Sequence, residues 1–381
     1  MPTTKFIETG TDATQDFSFY AGTNPTGTGV ISSDTSQSND GPRSIKSLNA
    51  ASGDIASCYT PNGVAADAGT LISGWFRFST VSPATPTWFF GASQANNGSC
   101  IVYCGLNTNG TLRWGGRGVS KNATTVLSAN TWYRISIGYV ITSTTNWSMK
   151  LYINGVLEDT SSNVDGTLLA TGSSCVVLGC NLSSQNGFAT PAAMTVWCDS
   201  IYVDDRTDKT DCGNVHCTAK RPFSNGTTNG YTTQIGSGGS GYGTGHAQQV
   251  NELPLSTTNG WSMVGAGAAI TEEYNIESRS VGDVNITNST IVDYMGWLYS
   301  SSLSSETAQI IVNGVSSNIS LTSTNTMFTK AAGSSTYPAG TGSDIGQITA
   351  TTLTTVSLYE CGIVFAYVPS ATTNSNFLMF M

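Results

Sequence analysis

The chain has 381 residues, a length that suits two ordinary domains, with 39% hydrophobic and only 10% charged residues against about 25% charged in an average soluble protein. Its net charge of -9 includes 15 lysines and arginines that form no cluster, which argues against a nucleic-acid footprint or an anionic membrane surface as partner. No apolar run reaches the roughly 18 residues of a spanning helix, and the Gly, Ser, Thr and Asn that replace charge favour turns and short strands.

Met1 to Glu8 lack the apolar segment of a secretory signal, so synthesis in a reducing cytoplasm is expected. The nine cysteines should then be reduced thiols that act as small buried hydrophobes. Strand signals begin at Thr70 to Ser79, Thr87 to Ala92 and Ser99 to Leu106. Tyr133 to Ile141 alternates cleanly, placing Tyr133, Ile135, Ile137, Tyr139 and Ile141 on one face. Trp147, Met149, Leu151 and Ile153 repeat the pattern, as half-buried antiparallel strands do. Between Ile153 and Val156 stands Asn154-Gly155, a strong hairpin signal because a type I′ turn needs positive φ. Strands at Cys175 to Gly179 and Met194 to Val203 complete a spacing that predicts a β-sandwich over residues 1–206.

Beyond Asp205 the composition shifts. Residues 207–250 carry charged turns and then the glycine-rich Gly236 to Gly245, which reads as a connector and irregular entry loop. Strand signals resume around Trp261 and continue through Ile286 to Tyr299, Ala308 to Val312, Ile319 to Leu321 and Thr351 to Val368. They predict a second β-sandwich over 251–381, with Asn313-Gly314 echoing the first Asn-Gly turn. The expected fold class is all-β, with two jelly-roll-like sandwiches.

Gly74-Trp-Phe-Arg-Phe, Asn130-Thr-Trp-Tyr-Arg-Ile, Lys150-Leu-Tyr-Ile-Asn-Gly-Val and Asp199-Ser-Ile-Tyr-Val-Asp-Asp resemble, in order and spacing, the concanavalin A/laminin-G-like jelly roll. Ala219-Lys-Arg-Pro-Phe-Ser-Asn-Gly through Val250-Asn-Glu-Leu-Pro resembles bacteriophage virion proteins that join such a domain to a second β domain. The resemblance implies a virion surface protein: a capsid decoration, head fibre or tail appendage. Its partners would be capsid or tail proteins and copies of itself, a trimer by family behaviour, with host-surface glycans as a further target. It also brings two rival readings, a lectin that recognises a receptor and a glycan hydrolase on a lectin-like fold.

No catalytic group is expected. His216 and His246 stand in the connector region, no Gly-x-Ser-x-Gly elbow occurs, and the Glu-x-Asp-x-x-Glu strand of some hydrolases of this fold is absent. Glu272 and Glu273 are adjacent and would face opposite sides of a strand. No cofactor is implied, since Gly236 to Gly245 lacks the Gly-Lys-Ser/Thr ending of a phosphate loop. Cys212-Gly-Asn-Val-His216-Cys217 places soft ligands in a short loop without the second Cys/His pair that zinc wants. Asp199, Asp204 and Asp205 are weak calcium candidates, better read as solvated carboxylates. Arg113-Trp114-Gly-Gly-Arg117 is the candidate glycan loop, because an aromatic face stacks on sugar C–H groups while guanidinium groups bond hydroxyls. The competing reading folds Trp114 back onto the core.

Overall fold

The computed structural model describes residues 4–8, 22–60, 64–65, 69–94, 100–116, 119–143, 146–162, 174–181, 188, 190–230, 233–236, 260–263, 270–277, 280, 284–302, 306–312, 315–321, 326–331, 344–350 and 356–369. Among these residues the chain is all-β, with sandwich-like sheets and no helix. None is therefore long and apolar enough to cross a membrane.

Two antiparallel sheets build the first unit. Sheet A runs β13 (Val156–Ser162), β12 (Asn146–Ile153), β11 (Tyr133–Ser143), β6 (Thr70–Phe78), β15 (Met194–Asp204), β4 (Ser44–Asn49) and β3 (Val30–Asp34), with β1 (Thr4–Glu8) also on β15. Sheet B runs β10 (Val119–Val126), β9 (Thr111–Gly116), β8 (Cys100–Leu106), β7 (Thr87–Gln94), β14 (Ser174–Asn181), β5 (Ile55–Tyr59) and β2 (Gly22–Thr26). The alternation of β11 and β12 has the expected result: Ile135, Ile137, Tyr139, Ile141, Trp147, Met149, Leu151 and Ile153 all enter the core, while Tyr133 packs at its margin. Asn154 (φ 51°) and Gly155 (φ 82°) make the positive-φ turn between these strands.

Two further sheets follow. Sheet C is β18 (Thr233–Ile235), β19 (Gly260–Met263), β26 (Val356–Val368), β21 (Thr290–Ser302) and β24 (Thr326–Ala331), with β16 (His216–Lys220) paired to β26. Sheet D is β17 (Pro222–Asn229), β20 (Ile270–Ile276), β25 (Asp344–Ala350), β22 (Glu306–Val312) and β23 (Val315–Leu321). Residues Asn313 and Gly314 lie outside the described residues, although Val312 and Val315 pair on either side of them.

The stretch expected to be connector is shorter in the structure. Strands β16, β17 and β18 occupy most of 216–235, so the described link between the units is 205–215. Short side chains such as Cys217 and Ala219 hid β16, which draws its burial from β26 and from the first unit. Cys217, Ala219, Val364 and Ala366 belong to one apolar cluster with Ile72, Ile201 and Val203. A single core thus runs through the junction.

Among the cysteines, Cys212 is half-buried and the other eight are buried. Burial pushes the Cys180 thiol up to about 12 and raises Cys100 and Cys104 as well. Thiols held this way are packing groups, poor nucleophiles and poor metal ligands.

Candidate functional site

The connector is strapped across the outer face of sheet A. Arg134 on β11 is 1% exposed; its Nη1 donates to Asp211 Oδ1 at 2.8 Å and its Nη2 pairs with Asp211 Oδ2. Nη1 also reaches the hydroxyls of Ser136 (3.3 Å) and Ser73 (3.4 Å). Tyr152 donates its phenol to the carbonyl of Lys209 at 2.9 Å, and Trp75 Nε1 donates to the carbonyl of Val215 at 3.0 Å. A Cβ on Gly138 would stand 2.9 Å from Lys209 Cα, so glycine is what lets the strap lie flat.

Where the strap meets the second unit, polar groups from several elements converge. β15 carries a bulge between Asp199 and Tyr202, and Ser200 takes a left-handed φ of 49° there. This local turn directs Asp199 and Ser200 toward the loop between β3 and β4. The amides of Asn39 (2.7 Å) and Asp40 (3.0 Å) donate to Asp199 Oδ2, and that of Ser200 (2.7 Å) donates to Oδ1. Ser200 Oγ donates to Asp40 Oδ2 at 2.6 Å and accepts from the Cys217 amide at 2.9 Å. His216 Nδ1 lies 2.7 and 2.6 Å from the two Asp40 oxygens. Its ring is held between Trp75, at 5.0 Å between centroids, and Tyr367, at 5.8 Å.

This arrangement brings a serine, a histidine and aspartates together without forming a nucleophile. The carboxylate of Asp40 stands between Ser200 and His216, so the imidazole has no contact through which to take the serine proton. Ser200 is also 1% exposed. Burial, and then the neighbouring charge of Asp40, push the Asp199 carboxyl well above the usual range, against the pull of its backbone amides.

Several other residues singled out in the sequence have definite places. Asp199 is in the junction, and Asp204 is fully buried and ion-paired with Arg206, whose Nε lies 2.8 Å from both carboxylate oxygens. Asp205 is half-buried. These aspartates do not converge, and no group of three or more His, Cys, Asp or Glu able to hold a metal occurs among the described residues. Cys217 points its thiol at the Ile201 carbonyl (3.8 Å) while His216 faces Asp40, so the soft ligands of that loop diverge. Glu272 is buried; the Glu273 side chain, His246 and residues 237–259 lie outside the described residues.

Trp114 is fully buried in the core, on the inner face of sheet B, and so presents no face to a sugar. Leu112 and Trp114 alternate inward along β9, a period-two signal already present in Thr-Leu-Arg-Trp. Arg113 points the other way: its Nε donates to Ser120 Oγ at 2.8 Å and its guanidinium lies 5.4 Å over Phe188. Arg117 lies outside the described residues. Phe188 caps a second apolar cluster on the outer face of sheet B, with Trp88, Tyr103, Cys175 and Val177, and meets Tyr103 edge-on at 5.3 Å. The junction was invisible to sequence reasoning, because Asp40 and His216 are 176 residues apart.

Residues 52–192, inside the first unit, match the family model described as the concanavalin A-like lectin/glucanases superfamily, and this part of the chain is a concanavalin A-like/laminin-G domain. Similar solved structures include an endo-β-1,4-glucuronan lyase from the fungus Trichoderma reesei, at 13% identity and TM-score 0.42, covering 55% of this chain and 98% of that one. A carbohydrate esterase from the Shiga toxin-encoding bacteriophage phi24B shares 14% identity at TM-score 0.38, over 54% of this chain and 100% of its own. Domain 4 of a GH43 extracellular arabinanase from Geobacillus stearothermophilus, solved with arabinotriose, shares 15% at TM-score 0.36, over 55% and 99%. No curated protein matches the chain.

Proposed function

We propose that this chain is a non-enzymatic surface component of a bacteriophage particle, a two-domain β module that works in assembly or adhesion. The observation that carries the reading is the junction. A connector held by a buried ion pair, together with an apolar core common to both units, suits a load-bearing spacer better than an enzyme whose domains open and close around substrate. The polar groups that converge there are committed to one another, which leaves them poorly placed to meet a substrate. The resemblance of 219–254 to virion proteins supplies the particle.

A lectin role is the second reading, favoured by the family match over 52–192. Single shallow sugar sites bind weakly, whereas many copies on one particle gain roughly 10²- to 10⁴-fold through effective concentration. Such a site would have to use surface other than Trp114.

Mass spectrometry of particles purified from cells that carry the gene tests the first reading. The chain should be present in many copies per particle, and its absence from them would overturn the proposal. Incubated with a polysaccharide and peptidoglycan panel, the purified chain should release no reducing ends or unsaturated products. Turnover on any member of the panel would make it an enzyme. Retention of bead-displayed chain on a glycan polymer that the free chain ignores would establish the adhesive role.

A further inference from the structure

The first strand, β1, belongs to neither unit alone. It pairs antiparallel with the end of β15, placing Thr4 opposite Asp204, Phe6 opposite Val203, Ile7 opposite Tyr202 and Glu8 opposite Ile201. β4 borders the start of β15, from Met194 to Cys198, and goes no further than the Ser200 bulge. β6 holds the other side of β15 before and after that bulge, so β1 takes up the side where β4 has stopped. There it also lies close to β16, β21, β24 and β26 of the second unit.

The slot that β1 fills therefore has one wall from each unit. Ile201 and Val203 of the first wall share a buried apolar cluster with Cys217, Ala219, Val364 and Ala366 of the second. A strand of five residues paired on one side is marginal by itself in water, and the second unit supplies the remaining contact. Without β1, the end of β15 would keep a row of unpaired N–H and C=O groups at a buried position, which costs as much as lost hydrogen bonds. Filling of the slot and docking of the units thus favour each other, and by linkage they do so equally.

We propose that β1 is a clasp: it fills a strand-accepting slot that is complete only while the two units are docked, and its release frees the second unit to move on the connector.

The register puts the clasp at the hinge. Thr4 stands beside Asp204, immediately before the connector begins, so β1 fixes the point from which the connector leaves sheet A. The connector and the clasp then hold the same junction from two parts of the chain far apart in sequence.

Hydrogen exchange of a chain lacking residues 1–8 tests this, read in peptides spanning 201–217. Protection there should fall by about tenfold or more, while peptides covering Tyr133–Ser143 stay unchanged, which separates opening of the junction from unfolding. A synthetic peptide of residues 1–8 added in trans should restore the protection saturably. The same peptide with Phe6→Pro and Ile7→Pro should not, because one of two adjacent residues must turn its N–H to β15 and proline has none. Unchanged protection in the shortened chain, no recovery with the unsubstituted peptide, or equal recovery with both peptides would overturn the proposal. Should the shortened chain fail to fold, native-state exchange of the wild-type chain in rising urea decides. The amides of Thr4–Glu8 and of 205–217 should then open together, before those of Tyr133–Ser143. Opening of Thr4–Glu8 while 205–217 stays protected would show that β1 does not hold the units together.

Discussion

The two outer faces of the first sandwich are closed in different ways. Sheet A is covered by the connector, which is held by Arg134–Asp211, the Tyr152 phenol and the Trp75 indole. Sheet B is capped by Phe188, lying on Trp88, Tyr103 and a bare Gly105 whose Cβ would meet the ring at 2.4 Å. Polar cover is directional: each bond fixes where one atom of the strap must sit, and the strap fixes where the second unit begins. Apolar cover is set by shape alone and, among the described residues, ties the cap only to its own domain. The same fold thus uses one face to join its neighbour and the other to seal itself.

Removing one side of the ion pair should have the largest effect. Arg134→Ala leaves Asp211 nearly buried without its partner, at a cost of about 3–5 kcal/mol. Urea unfolding should then show the two units separating into distinct transitions, and the connector should lose its exchange protection. A double change of Arg134 and Asp211 to apolar residues of similar volume should cost less, since no lone charge remains.

Phe188→Ala sharpens the contrast. Its cost should be about 3 kcal/mol, near the lower end for a lost phenylalanine because the cap sits at the margin of a small cluster. The first unit alone should become less stable, with connector protection unchanged. Loss of connector protection in this variant would show that the two faces are coupled, contrary to the comparison.

Gly138→Ala acts on the strap without touching a charge. The added methyl must push against the Lys209 backbone, and overpacking of this kind costs about 1–3 kcal/mol. The effect should appear in connector exchange before it appears in global unfolding.

The smallest effect expected is at Asp34, on the β3 edge away from both covers. Burial works against its charge, but hydrogen bonds from Ser36 and Trp197 and the nearby Lys46 outweigh burial and hold the carboxyl at about 2. A lowered value contributes stability that is present above the ordinary 3.8 and disappears as the pH falls through about 2. Acid unfolding curves of Asp34→Asn should lack that part of the pH dependence.

How much of this was legible beforehand depends on range. The β11–β12 hairpin could be read directly, because alternation and the Asn-Gly turn are local and agree with each other. The all-β class and the concanavalin A-like character of the first unit were equally open to reading. Strands β16 to β18 were hidden; in β16, residues such as Thr218 and Lys220 carry no apolar alternation and are buried where the strand pairs with β26 beside the first unit. Trp114 shows a local signal that was outweighed: the glycines and arginines around it suggest an exposed loop, while its two-residue spacing from Leu112 places it inside. The junction could not be seen at all, because its members are local neighbours of nothing and meet only through a bulge at Ser200 and a loop far away in sequence.

Limited digestion of the full chain with trypsin at neutral pH tests the central claim of a fixed junction most directly. Arg206 and Lys209 are the basic residues of the connector, and both are held, Arg206 by Asp204 and Lys209 through its carbonyl by Tyr152. If the strap is fixed as described, cleavage after these residues should be slow at trypsin levels that rapidly cut the urea-unfolded chain. Prompt cleavage at 206 or 209, releasing two halves that each stay folded, would show a loose tether and contradict the account.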